Sequence, residues 1–228
     1  VGTVKTIWDG LDWSYLVSML TAVIPALICI TLHEVSHGYV AYLMGDNTAK
    51  DAGRLSLNPI KHIDIMGLLM MVIFKVGWAK PVPINMYNFK NPKRGMAVTA
   101  LAGPVSNLLI AIIFLFLYGI LYLPMNAGST FVQEILSMVE TTAYLSIGLA
   151  VFNIIPIPPL DGSKVLFSVL SDNNYYKLMR YERYGMLALL VLVSTGVLGK
   201  PLDSAITYVY DKMFFIAQFG YDIAARLA

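Results

Sequence analysis

Three side chains capable of metal chemistry stand close together in the stretch PALICITLHEVSHGYVAYLMG, residues 25–45: His33, Glu34 and His37. The histidines are four apart, so on a helix both imidazoles project from one face, one turn apart. That spacing lets them bind one zinc ion. Glu34 lies about 100° further round the helix, within reach of a water on the same ion. Two ligands and a general base in this order are the working parts of a zinc hydrolase, in which the metal acidifies a water and polarises a carbonyl. A random chain of this length shows the pattern at roughly the 1% level or below. Ionisable groups inside an apolar helix are, moreover, functional-site candidates by default. The competing reading is a polar contact between helices. Cys29 lies one turn earlier on the same stripe. Three successive i+4 positions span about 12 Å along the axis, too far for one ion, so Cys29 is read as a packed core thiol.

Catalytic zinc takes three protein ligands and keeps one position for water. The chain has three histidines, and the third, His62 in LNPIKHID, is one candidate. A carboxylate is the other. Asp161, in NIIPIPPLDGSKVL, is the sole acid between Glu140 and Asp172 and follows an apolar run. Gly162 beside it permits close backbone approach. A lone Asp at membrane depth needs a cation or a proton, and zinc fits. Asp is also a favoured N-cap residue, and a helix starting here would use it in that way.

The elements that must position these residues are membrane helices. Of the 228 residues, 57% are hydrophobic and only 13% are charged, against about 25% charged in a soluble domain. Too few charges remain to coat a soluble surface. A net charge of +2 gives no reason to expect nucleic acid. One cysteine excludes an internal disulfide. The N-terminal residues show no secretory pattern: Lys5 is followed by Asp9 and Asp12 with no small-residue cleavage site. Stretches of about 20 apolar residues predict spans over residues 13–44, 95–123 and 131–155, with a shorter fourth over 184–198. Residues 202–219, interrupted by Asp203, Asp211 and Lys212, suit a further span or an interfacial helix. Residues 65–78 suit a short or re-entrant helix. The expected fold is an all-α polytopic membrane protein, one domain over 1–228, with about four to six transmembrane helices and a short re-entrant or β-hairpin segment near the site.

Lys and Arg concentrate in residues 45–94 and 171–183 and are absent from 124–130. Cytoplasmic loops carry that excess, so the first helix should end inside. His33, His37 and Asp161 then reach the same depth from segments far apart in sequence.

These residues carry a resemblance. HEVSH (33–37), GRLSLNPIKHID (53–64), GWAKPVPIN (77–85), NPKRGMAVTALAGPVSNLL (91–109) and FNIIPIPPLDG (152–162) resemble, in order, the site-2 protease family of intramembrane zinc metalloproteases. The likeness is to its compact branch without PDZ or CBS domains. It implies one zinc per chain, held by His33, His37 and Asp161, with Glu34 activating the water. It implies that Asn153 orients substrate or stabilises the oxyanion, and that Asn107 assists from a neighbouring helix, where an interhelical hydrogen bond is its other use. It places residues 77–85 near the substrate as an extended strand or hairpin, pairing with the unwound substrate backbone. One position departs from the pattern: Ile65 stands where Pro is expected after HID. The implied activity is hydrolysis within or near a transmembrane segment of another membrane protein, in a prokaryotic plasma membrane, with the site open to the cytoplasm. The partners are that substrate and the lipid bilayer, with no nucleic acid. The alternative is a membrane metal-binding protein, transporter or scaffold without proteolysis.

Overall fold

The structure is a computed structural model that describes residues 13–74, 77–126 and 129–227. Among them, helices dominate and no strand forms. In chain order the helices are α1 (Trp13–Leu43), α2 (Thr48–Asp51), α3 (Ile65–Phe74), α4 (Pro92–Asn126), α5 (Thr130–Asn153), α6 (Asp161–Ser168), α7 (Asp172–Ser194), α8 (Gly199–Met213) and α9 (Phe215–Leu227). Short 3-10 turns cover Pro59–His62 and Met86–Asn88.

Val23–Leu43, Pro92–Met125 and Thr130–Asn153 are long and apolar enough to cross a membrane. The bent pair Tyr184–Ser194 and Gly199–Leu227, which meet at 87°, makes a fourth if counted as one span. The long helices α1, α4 and α5 end within three residues of the predicted limits 13–44, 95–123 and 131–155, because length and hydropathy decide them. The apolar span on α1, by contrast, starts only at Val23, and the fourth span continues past 198 through a bend. Asn91 and Pro92 start α4: the Asn91 side chain accepts the Arg94 N–H at 3.2 Å, and Pro is preset for the first helical turn. The outward faces of α4 keep Val105, Leu109 and Ile113 exposed, as expected of a helix whose other solvent is lipid.

α4 is the central element and packs against α1, α5, α6 and α9. Its contact with α9 is very close. A Cβ on Gly119 would lie 1.9 Å from the Ala217 carbonyl oxygen, and one on Gly220 2.5 Å from that of Phe116. Small residues let membrane helices approach to this degree. The C-terminal aromatic residues divide between core and surface. Tyr210 and Phe214 pack on the Leu115–Ala143–Ala217 core, while Tyr208, Phe215 and Phe219 are exposed.

α3 has 10 residues, about 15 Å, or half of a hydrocarbon core about 30 Å thick. It is too short to span. The Asp64 side chain accepts the Gly67 N–H at 2.8 Å, which caps α3 and places Ile65 at its first position. The departure from Pro at that position leaves the helix start intact. No hairpin follows. Residues 79–85 are joined to the preceding turn by one isolated bridge, Ile63 to Ala79. Pro81 and Pro83 lack the N–H groups that a longer ladder needs.

Candidate metal centre

His33 and His37 sit on α1 one turn apart, as their spacing predicts. Facing them, α4 runs with Thr99, Gly103 and Asn107 on one stripe at i, i+4 and i+8. The Thr99 backbone oxygen lies 2.7 Å from His37 Nδ1. A carbonyl only accepts, so Nδ1 carries the proton and Nε2 keeps a lone pair. The Asn107 amide lies 3.1 Å from His33 Nδ1. Asn107 is fully buried and its Oδ1 has no partner. A half turn of the amide exchanges its two ends and sets Oδ1 on a protonated Nδ1, which frees His33 Nε2 in the same way. The structure thus uses Asn107 as an interhelical hydrogen bond to a histidine. Ser146 of α5 fixes this turn from behind, donating to the Asn107 carbonyl at 2.8 Å.

Between these two contacts lies Gly103. A Cβ there would fall 2.5 Å from His33 Cε1 and 2.5 Å from His37 Nε2. The helices cross with hydrogen against imidazole, and no larger side chain fits.

Asp161 arrives from the first turn of α6. Leu160 is the N-cap and no side chain caps the helix, so the carboxylate is not used as a cap. Gly162 lets this turn sit on α5's exit: a Cβ there would lie 2.1 Å from the Ile154 carbonyl oxygen. Asp161 Oδ2 stands 3.2 Å from His33 Nε2 and 3.1 Å from His37 Nε2, and the two Nε2 atoms are 3.0 Å apart. All three residues are about 7% exposed. Oδ2 is buried without a hydrogen-bond partner. Two lone pairs and a carboxylate converging in a buried space repel one another unless a cation lies among them. The triangle suits zinc. Two imidazole nitrogens and a carboxylate oxygen are donor types that zinc takes, and these three residues would hold it.

Of the two candidates for a third donor, Asp161 joins the pair and His62 does not. His62 is buried in the loop, with Nδ1 facing Arg54 at 3.4 Å and Nε2 at 2.8 Å from the Ser56 oxygen. Cys29 lies in the core, its Sγ 3.5 Å from the Thr142 oxygen. Asn153 turns its amide back on its own helix, donating to the Leu149 oxygen at 3.0 Å. None of its described bonds reaches the histidines. Lys164 Nζ stands 4.0 Å from Asp161 Oδ1.

Glu34 Oε2 accepts the backbone N–H of Val82 at 2.9 Å. Residues 80–85 are pinned to the fold by most of their amides. The Lys80 N–H donates to the His62 oxygen at 2.9 Å and the Asn85 N–H to Asp46 Oδ2 at 2.7 Å. With Pro81 and Pro83 lacking a donor, the Ile84 N–H alone is unengaged among the described residues of this stretch. A peptide added alongside would meet acceptors more than donors. Asp46 is fully buried. Burial acts to raise its carboxyl, but hydrogen bonds from Thr48, Asn85 and Asn88 outweigh that and hold it below the usual carboxylate range.

Sequence reasoning missed Thr99, Gly103, Arg54 and Asp46. The T-x-x-x-G-x-x-x-N spacing in α4 was the available signal for the first two.

Comparison with known proteins points the same way. Residues 21–194 match Peptidase family M50. A Bacillus subtilis (strain 168) protein named "Putative zinc metalloprotease YwhC" is 38% identical over 190 residues, 82% of this chain and 83% of that protein. The protein "Putative zinc metalloprotease Rip2" of Mycolicibacterium smegmatis is 27% identical over 202 residues, 87% of this chain and 76% of that one. The archaeal "Zinc metalloprotease MJ0392" of Methanocaldococcus jannaschii is 25% identical over 168 residues, 74% of this chain and 38% of that protein. No solved structure matches.

Proposed function

Because the chain belongs to Peptidase family M50 and is a membrane zinc metalloendopeptidase, we propose that it cuts peptide bonds within or near transmembrane segments of other proteins, using zinc held by His33, His37 and Asp161. The observation that carries this reading is the convergence of those three buried donors. The family match removes the ground for a non-proteolytic transporter or scaffold.

Zinc, when bound, supplies Lewis acidity and an acidified water. The chain supplies the rest. Thr99 and Asn107 hold the two imidazoles with Nε2 free. Glu34 takes a proton from the attacking water and delivers it to the leaving amine. The Val82 N–H holds Oε2, which leaves Oε1 to carry the proton. Asn153 reaches the substrate once its amide swings away from Leu149, and there orients the scissile group or steadies the oxyanion.

One observation supports a membrane substrate. An apolar groove of about 390 Å³ runs beside α1 just before His33, lined by Ile24, Leu27, Ile28, Thr31, Leu32, Leu57 and Pro59. The Lys and Arg excess in residues 45–94 supports a site facing the cytoplasm. Relatives in bacteria and archaea support a prokaryotic plasma membrane.

The test is cleavage of a single-span substrate by the purified protein in lipid vesicles, with the cut mapped by mass spectrometry. We expect a cut in or beside the lipid-embedded segment, loss of activity on chelation, and recovery on zinc addition. Cuts confined to loops far from the bilayer, or activity indifferent to chelation, would overturn the reading. Asn107→Ala should weaken zinc binding by about 10–100-fold, the usual cost of losing a group that orients a metal-binding histidine; competition with a fluorescent chelator measures it.

A further inference from the structure

We propose that Arg54 is a positioning residue for the general base: seated on His62, it fixes the Lys80–Val82 backbone so that the Val82 amide holds Glu34 in place. The inference rests on the role given to Glu34 above.

It starts from a buried cation without an acid. Arg54 is 8% exposed and forms no ion pair among the described residues. Burying a guanidinium is costly unless its donors are satisfied. Here the two terminal nitrogens are met by a neighbouring segment's backbone, while Nε is buried with no partner among the described residues. Nη1 donates to the Pro81 oxygen at 3.2 Å and Nη2 to the Lys80 oxygen at 2.7 Å. A planar fork on two consecutive carbonyls fixes the direction of a chain as well as its position.

His62 is the support. Its Nε2 faces the Ser56 oxygen at 2.8 Å, which only accepts, so Nε2 bears the proton. Nδ1 then offers its lone pair to Arg54 Nη2, 3.4 Å away. The backbone oxygen of His62 meanwhile accepts the Lys80 N–H at 2.9 Å. Lys80 is therefore held through its N–H by His62 and through its carbonyl by Arg54. Pro81 follows, with a fixed φ, so an error in placing Lys80 is passed on stiffly to Val82. The Val82 N–H is the one that meets Glu34 Oε2. Further on, Asp46 holds Asn85. The segment is pinned on both sides of its contact with the base, and Arg54 is the pin on the N-terminal side.

Arg54→Lys keeps the charge and removes the fork. Two measurements on the purified full-length protein test the idea. Hydrogen exchange read at single residues should show the Lys80 and Val82 amides exchanging about tenfold faster or more. In the same variant kcat should fall about tenfold with KM little changed and zinc content at the wild-type level. In a Val82→Pro background, which lacks the N–H, adding Arg54→Lys should lower kcat by less than about twofold, because both changes act through one hydrogen bond. Unchanged exchange at Val82, lost zinc, or effects that multiply would overturn the proposal. Should the wild type hydrolyse no membrane substrate, the proposed function fails, while the exchange result still decides whether Arg54 positions Val82.

Discussion

Glu34→Gln should leave zinc in place and lower peptide hydrolysis by about 10³-fold or more, within or beyond the range ascribed to a positioned acid–base group. The substitution is nearly isosteric. A glutamine keeps a side-chain oxygen to accept the Val82 N–H, so the contact now 2.9 Å long survives. What it loses is the ability to take a proton from water and return it to the amine. Glu34 is not one of the three converging donors, which are His33, His37 and Asp161. Metal content, measured by emission spectrometry, should therefore match wild type at about one zinc per chain. Two results would contradict the assignment. Cleavage within about tenfold of wild type would mean another base acts. Loss of zinc would make Glu34 a ligand.

Gly103→Ala is expected to have an effect of similar size for a different reason. In an ordinary helix interior this change stabilises by roughly 0.5–1 kcal/mol, because Gly carries extra backbone entropy. Here the new methyl would lie 2.5 Å from atoms of both imidazoles. The rings can yield by rotating, at an overpacking cost of about 1–3 kcal/mol. In rotating they leave Thr99 and Asn107 and open the donor triangle, whose sides are 3.0–3.2 Å. Misplacement of that order costs about 10²-fold in rate, and weaker zinc binding adds to it. The variant should fold, with helix content unchanged, and bind zinc at least about 100-fold more weakly. Wild-type zinc affinity in Gly103→Ala would show that the helices do not cross as described. Loss of helix content would show that the clash is relieved by unfolding rather than by ring rotation.

Both variants probe the same contrast. Glu34 was legible from the sequence because the role proposed for it depends on local spacing: positions 33, 34 and 37 fall together on any helix. Gly103 was not, because its function depends on what lies opposite. The resemblance put Asn107 on a helix neighbouring the histidines but not on His33, since the crossing of two helices fixes that register. It also kept Asn153 near the chemistry, where the structure turns its amide towards Leu149.

By itself the sequence determined the membrane character, the approximate limits of the long spans and the histidine–glutamate set. These follow from hydropathy and helical periodicity, which are properties of neighbouring residues. It also narrowed the third donor to His62 or Asp161. The family resemblance favoured Asp161, but local spacing could not separate the two, because they lie 25 or more residues from His37 and nothing local measures distance across a bundle. The tertiary structure brings Asp161 alone to the pair. It seated His62 under Arg54 and carried Asp161 to the histidines on the turn that Gly162 allows. It likewise used Pro81 and Pro83 to end a ladder that the segment was expected to form, and gave the amide left between them to Glu34. Long-range packing chose among pairings that the local pattern had left equal.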